Sequence, residues 1–167
     1  MSERCGSGDT GETSGLNGQS ISKNDPVIHF IGACDELNSH LGLVKALIND
    51  TETRQFIEGI QKNIMTLMSH ASDSADEKYF FSENETASLE KEIDRLSQKI
   101  QERYEFEIPG KNITEAQIHI SRTVARRAER LFFAACEKRS LCKTAGAYLN
   151  RLSDYLFILS RQEIVFR

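Results

Sequence analysis

Arg122, Arg126 and Arg130 fall four residues apart in the run Arg122-Thr-Val-Ala-Arg126-Arg127-Ala-Glu129-Arg130. On a helix that spacing makes one stripe with a slow drift around the axis. Like charges so placed repel one another by roughly a few tenths of a kcal/mol per exposed pair. Each guanidinium offers a planar fork of donors that matches phosphate and carboxylate oxygens. The chemistry this suits is the holding of a polyanion. A solvated face paired with glutamates such as Glu129 is the competing reading. Asn150 and Asp154 weigh against it, because they lie one turn apart in a segment otherwise apolar enough to be buried. A buried Asn must find hydrogen-bond partners, so a polar site facing the arginine helix is expected.

Three other groups of residues could do chemistry. Gly6-Ser-Gly8-Asp9-Thr10-Gly11-Glu12-Thr13 nearly spells the phosphate loop GxxxxGK[ST], but Glu12 stands where the lysine belongs and would repel a phosphate. No predicted strand precedes it, so a P-loop fold is excluded. The backbone N–H groups of a glycine-rich loop can still wrap an anion, and Lys23 lies just downstream. Glu36/His40 and Glu115/His119 each put a carboxylate and an imidazole one helical turn apart. Di-iron bundles use Glu-x-x-His with further glutamates on the other helices, so solvated or hydrogen-bonded side chains fit these pairs better than a metal site. Cys5, Cys34, Cys136 and Cys142 show neither CxxC nor zinc-finger spacing. No Ser/His/Asp or Cys/His constellation is visible.

The elements that must position these residues are helices. Phe30, Cys34, Leu37, Leu41, Val44 and Ile48 follow spacings of three and four from about Pro26 onward. A second helix is predicted from about Glu52 to Ala75, with Phe56, Ile60, Ile64, Leu67, Met68 and Ala71 on one side. A third runs from about Glu83 to Glu102 through Leu89, Ile93, Leu96 and Ile100, and Ser82-x-x-Glu85 before it reads as a capping box. Phe106-Glu-Ile-Pro109-Gly110 breaks the pattern. Thr114 is the expected cap of a fourth helix over about 114–138, which carries the arginine stripe. A fifth, about 143–163, places Leu149, Leu152, Leu156 and Leu159 at helical intervals. Residues 1–25, rich in Gly, Ser and Thr, show no helical period and read as a loop or a disordered tail. The fold class is all-α, an up-and-down bundle of five helices with a four-helix-bundle, ferritin-like core. Residues 26–167 form the bundle and 1–25 precede it as a glycine-rich loop.

Composition narrows the partners. The 167 residues amount to about one domain with a sizeable core. Contents of 39% hydrophobic and 28% charged residues are ordinary for a soluble globular protein. A net charge of −4 argues against nucleic acid and leaves the stripe a local basic feature, suited to a small anion. No apolar run approaches the ~20 residues of a membrane span, and residues 1–24 lack the apolar core of a secretory signal. Reduced thiols and a cytoplasmic location are expected.

The ordered motifs resemble the PduO-type ATP:cob(I)alamin adenosyltransferases over nearly the whole chain. Gly8-Asp9-x-Gly11-x-Thr13-Ser14 is similar to that family's N-terminal nucleotide loop, and Ser22-Lys23-Asn-Asp25 to the lysine motif after it. Asp35-Glu36-Leu37-Asn38-Ser39 resembles its VDELNS segment, and Phe106-Glu-Ile-Pro109-Gly110 its FxLPGG turn. Arg122 to Arg130 resemble its RTVCRRAER helix, and Asn150-Arg151-Leu-Ser153-Asp154 match its NRLSD motif. The chain departs from the family at Gly6, where a Lys or Arg is usual, at Lys111 in place of the second turn glycine, and at Ala125 in place of a cysteine. It also ends soon after the fifth helix.

The resemblance implies a homotrimer with active sites at subunit interfaces. There the 5′-deoxyadenosyl group of ATP would pass to the cobalt of cob(I)alamin, releasing triphosphate. Reduced cobalt is itself the nucleophile, so the protein supplies position and electrostatics. By the same resemblance Arg126, Arg127 and Arg130 neutralise the triphosphate. Ser7, Gly8, Asp9, Thr13, Ser14 and Lys23 cradle the phosphates with Mg²⁺ bridging their oxygens, and Glu129 and Asn150 complete the nucleotide site. Arg122 pairs with Asp35 of a neighbouring subunit. Phe106 presses on the lower face of the corrin and excludes its lower ligand; read from the residues alone, it could instead plug the end of the bundle. No resident protein-bound metal is expected. A corrinoid reductase and an adenosylcobalamin-dependent enzyme are implied as further partners. Two other classes stay open: a non-catalytic ATP- or corrinoid-binding bundle acting as sensor or chaperone, and a structural or metal-storing bundle.

Overall fold

The computed structural model describes residues 8–73, 81–100, 108–139, 141 and 143–162. A hairpin of two short antiparallel strands, β1 (Glu12–Ser14) and β2 (Ser20–Ser22), precedes five helices: α1 (Pro26–Leu47), α2 (Thr51–Ser72), α3 (Glu83–Ser97), α4 (Ile113–Cys136) and α5 (Thr144–Ser160). The helical body is the expected one. The strands are not, because residues 1–25 read as a loop. Thr13 pairs with Ile21, and Gly15 and Gly18 make the turn between the strands, Gly18 at the positive φ of 77° that glycine tolerates. Ile21 is the one buried apolar side chain of the pair, too little alternation to announce a strand.

The starts of α1 to α4 are fixed by side-chain caps, whereas α5 begins at Lys143 without one. Asp25 accepts from Val27 N at 2.8 Å ahead of Pro26, and Asp50 accepts from Thr53 N at 2.9 Å. Two caps differ from expectation. Asn112, not Thr114, starts α4 by accepting from Glu115 N at 2.8 Å. Ser82 caps α3 through Asn84 N, while the Glu85 carboxylate leaves the expected box to accept from Asn63 Nδ2 at 2.8 Å. A tertiary partner has outbid the local one. The third and fifth helices also end sooner than predicted, at Ser97 and Ser160.

Cross-helix pairs give the directions. Glu36 meets Arg127 and His40 meets Gln117, so α1 and α4 run antiparallel. Gly146 lies against Phe132 and Asn150 meets Glu129, which sets α5 antiparallel to α4. Phe56 lies 5.2 Å from Tyr155 and Asn63 bonds Tyr148, which sets α5 antiparallel to α2 as well. Arg151 meets Glu90, and Gln162 bonds the carbonyl of Leu96, so α3 runs parallel to α5. The bundle is therefore up-and-down in sense, but α4 packs on α1 and α5 rather than on its predecessor α3.

The apolar stripes predicted from the sequence make one core. Phe30, Cys34, Leu37, Leu41 and Val44 of α1 are fully buried, as are Leu149, Leu152, Leu156 and Leu159 of α5. Each such aliphatic side chain contributes about 1.5–3 kcal/mol by leaving water. The α5 helix is covered on nearly every side, with Tyr148 and Tyr155 adding to its four leucines. Gly146 lets it approach α4, since a side chain there would stand 3.0 Å from the Phe132 ring.

Candidate functional site

The arginine stripe forms because Val124, Ala125, Ala128 and Phe132 turn the opposite face of α4 into the core. Ala125 has no exposed surface, so the departure from cysteine there is a matter of packing. Arg126 and Arg130 face solvent and Arg122 is half-buried. The Arg126 guanidinium has no partner among the described residues, while its carbonyl accepts from Arg130 Nη1 at 3.0 Å. Arg122 donates through Nε to His119 Nδ1 at 3.3 Å, which leaves its two terminal nitrogens without a partner among the described residues. Arg127 differs from its neighbours. It leans across to α1 and pairs with Glu36, so in this chain it is already neutralised.

Glu129 and Asn150 are brought together across the α4–α5 contact, with Asn150 Nδ2 donating to Glu129 Oε1 at 3.0 Å. The polar site expected beside the arginine helix is therefore present at Asn150. Asp154 is not part of it. Its carboxylate accepts from Arg151 at 2.5 Å, on the side where Arg151 also reaches Glu90 of α3. Asp35 is exposed beside Glu36 and has no side-chain partner among the described residues.

A second part of the site lies on the hairpin. Gly8, Thr10, Glu12, Thr13, Ser14 and Ser20 line an open cavity of about 250 Å³. The Lys23 ammonium closes over Gly8, where a side chain would meet Nζ at 2.9 Å, and Asp9 is exposed next to it. Glu12, placed where a phosphate-loop lysine would stand, turns its carboxylate to the Ser20 hydroxyl at 2.5 Å. Leu16 N donates to Ser72 Oγ at 2.9 Å and fastens the hairpin to the end of α2. Arg139 holds that same end through the carbonyls of Ala71 and Ser72. Thr10, Ser20 and Ser72 were not singled out as site residues in the sequence. Glu36 was read there as half of a Glu-x-x-x-His pair, and its partner proves to be Arg127.

No hydrogen bond or ion pair joins the hairpin cavity to the arginine stripe among the described residues. Ser7 and Phe106, along with Gly6, lie outside them. The two Glu-x-x-x-His pairs part company: Glu115 Oε1 stays 3.1 Å from His119 Nε2, while Glu36 goes to Arg127 and His40 Nδ1 to Gln117 at 2.7 Å. No group of three or more His, Cys, Asp or Glu suited to a metal occurs among the described residues. The oxygen donors on the hairpin, the Thr13 and Ser14 hydroxyls with the Glu12 carboxylate nearby, do fit a Mg²⁺ carried in by phosphates. Cys34 is no nucleophile. Burial first, then the neighbouring Asp35 charge, pushes its thiol far above the usual range.

With this geometry in hand, the comparisons with known proteins are direct. A family model described as cobalamin adenosyltransferase matches residues 4–163. A corrinoid adenosyltransferase of Citrobacter freundii is 38% identical over 160 residues, covering 93% of this chain and 91% of that protein. The corrinoid adenosyltransferase PduO of Salmonella typhimurium is 34% identical over 160 residues, and there the chain spans only 48% of the relative's length. Among solved structures, a phenylalanine-to-alanine variant of the PduO-type ATP:corrinoid adenosyltransferase from Lactobacillus reuteri, complexed with cobalamin and ATP, superposes with a TM-score of 0.87. It is 30% identical, and the match covers 95% of this chain and 91% of that one. No described helix is long and apolar enough to cross a membrane.

Proposed function

Because the chain belongs to the cobalamin adenosyltransferase family, we propose that it transfers the 5′-deoxyadenosyl group of ATP to the cobalt of cob(I)alamin. The reduced cobalt attacks C5′ and forms the cobalt–carbon bond. The C5′–oxygen bond breaks, and its electron pair leaves with triphosphate. The protein's part is to hold both substrates and to stabilise the charge that grows on the leaving group.

The observation that carries this reading is the Arg126 guanidinium, solvent-facing and without a partner among the described residues, between Arg122 and Arg130 on a helix that gains nothing from three adjacent like charges. Arg126 and Arg130 meet the phosphates, and Arg127 joins them once it gives up Glu36. Glu129 fixes Asn150 so that the Asn carbonyl oxygen is left to accept from the nucleotide. The hairpin cavity, with Gly8, Asp9, Thr13, Ser14 and Lys23, takes the polyphosphate, and Ser7 is assigned the same role by resemblance. Mg²⁺ bound there would neutralise phosphate charge that Glu12 and Asp9 would otherwise oppose. Phe106 lines the corrin face and keeps the lower ligand off the cobalt.

The assembly that makes one site from these parts is a homotrimer, in which the hairpin of one protomer meets the arginine helix of the next. The lone Asp35 carboxylate and the open terminal nitrogens of Arg122 support it, as do the exposed Leu43, Ile113 and Ile120 on the same two helices. The cytoplasm is the proposed location. A corrinoid reductase and an enzyme that consumes adenosylcobalamin are the proposed partners. An anaerobic assay tests the activity directly: the cob(I)alamin spectrum should decay only when MgATP is present, with one triphosphate released per adenosylcobalamin. Binding of both substrates with no spectral change would leave a sensor and overturn the enzyme.

A further inference from the structure

Glu115 sits in the first turn of α4 and is 1% exposed. A buried carboxylate is costly unless charges and donors surround it. Its Oε2 accepts from Gly110 N at 2.7 Å and from Lys111 N at 3.1 Å, across a turn that Gly110 makes at a φ of 116°. Its Oε1 stands 3.1 Å from His119 Nε2, at ion-pair distance but not aligned as a hydrogen bond. On the other side of that imidazole, Nδ1 accepts from Arg122 Nε at 3.3 Å. For Nδ1 to accept, the ring proton must sit on Nε2, the side facing the carboxylate. The turn, the carboxylate, the imidazole and the guanidinium are thus linked in line along the first three turns of α4.

We infer that His119 is a positioning residue for Arg122. Held by Nε, the guanidinium keeps its two terminal nitrogens together as a fork, the geometry that binds a carboxylate or phosphate at two points. Through Glu115 that orientation is tied to the Pro109-Gly110-Lys111 turn, which leads back toward Phe106. Closing the turn is a job that Glu115 Oε2 completes without His119. Of the imidazole contacts described, the link to Arg122 is the one that Glu115 cannot supply, and it gives His119 a role beyond packing. The inference rests on the proposal that Arg122 acts at the site.

Two substitutions separate the halves of the imidazole in the full-length protein. In His119→Asn the amide oxygen falls near the place of Nδ1, so the acceptor for Arg122 is kept and the contact with Glu115 is lost. In His119→Gln the amide lies near the place of Nε2, so Glu115 is served and Arg122 is released. If His119 positions Arg122, His119→Gln should lower kcat roughly tenfold with KM for ATP within about twofold, the scale of a misplaced binding group. His119→Asn should recover most of that rate even if its Tm is the lower of the two. The Arg122 Nε–H signal in NMR should exchange slowly in wild type and in His119→Asn, and fast in His119→Gln. Activity that follows Tm, with Gln the better substitute, overturns the inference, as does an Arg122 Nε–H indifferent to both changes. Arg122→Ala serves as the reference. If it lowers kcat while His119→Gln does not, the inference alone falls; if Arg122→Ala itself turns over as wild type, the role assigned to Arg122 falls and takes the inference with it.

Discussion

Replacing Arg126 with alanine should separate chemistry from stability, because the structure gives the side chain no structural duty. It is exposed, its guanidinium has no partner among the described residues, and the apolar face of α4 lies on the opposite side. Truncation therefore removes no buried area and no ion pair, and it relieves like-charge repulsion with Arg122 and Arg130, worth a few tenths of a kcal/mol per pair. Alanine is also a strong helix former. The net change in stability should fall within about 0.5 kcal/mol of zero, so Tm should move by no more than roughly 2 °C. The rate should respond very differently. Loss of one donor aimed at a developing anion typically costs about 10²-fold or more in kcat. The control is Arg127→Ala, which breaks an exposed pair with Glu36 and should cost at most about 1 kcal/mol, with a smaller loss of rate than Arg126→Ala. Thermal melts and anaerobic turnover at limiting and saturating ATP measure both effects. An Arg126→Ala protein that turns over at near wild-type rate at limiting ATP would falsify the role assigned here, and one that is inactive because it no longer folds would refute the structural half of the reasoning.

The remaining expectations concern the body of the bundle. Gly146→Ala should lower Tm by several degrees despite the better helix former, because the new methyl would stand 3.0–3.2 Å from the Phe132 and Phe133 rings and overpacking costs about 1–3 kcal/mol; an unchanged melt would show that the α4–α5 contact gives way freely. Burial lowers the folded pKa of His70 below the usual 6.5, so stability should be full above pH 6.5 and should fall as pH drops toward the folded value. His70→Gln should flatten that limb of a pH–Tm curve, and an identical slope would contradict it. Cys34, fully buried with its thiol pushed far up, should resist alkylation in the native protein at pH 8 and react only in denaturant. Peptide mapping that finds Cys34 labelled in the native state would rule this out.

Most of the helical frame was legible because it rests on periodicity. The stripe Phe30–Cys34–Leu37–Leu41–Val44 and its α5 counterpart name the buried faces from spacing alone, and the structure buries them. The ends were less legible, since a cap is a contest among neighbours. Asn112 and Thr114 both suit a helix start, and only the backbone geometry decides that Asn112 reaches Glu115 N. Glu85 was misread for a related reason: Asn63 is remote in sequence and offers a better partner than the Ser82 backbone. The hairpin was hidden because three-residue strands carrying one buried side chain hold too little pattern. In the site, the arginine stripe and Asn150 followed from residue type and spacing. The Glu36–Arg127 pair and the turning away of Asp154 did not, because each depends on how two helices are rotated about their own axes, and spacing along one helix does not fix that.

The near-total burial of α5 bears on how the protein is made. The last of the five described helices to emerge is the one that α3 and α4 pack against and that meets α2 at Phe56 and Asn63, and it also supplies Asn150 to Glu129. A ribosome-bound chain that has not yet released residues 144–160 can pair α1 with α2 and α4, but it leaves α3 and the α5-facing side of α4 open to water. The α1, α2 and α4 helices can therefore begin to assemble first, while α3 has to wait for α5, its main packing partner. Until α5 arrives, those uncovered apolar faces are the part of the nascent chain exposed to aggregation. A chain released before α5 lacks the four α5 leucines and Asn150 alike, so the step that closes the core also completes the polar pair with Glu129.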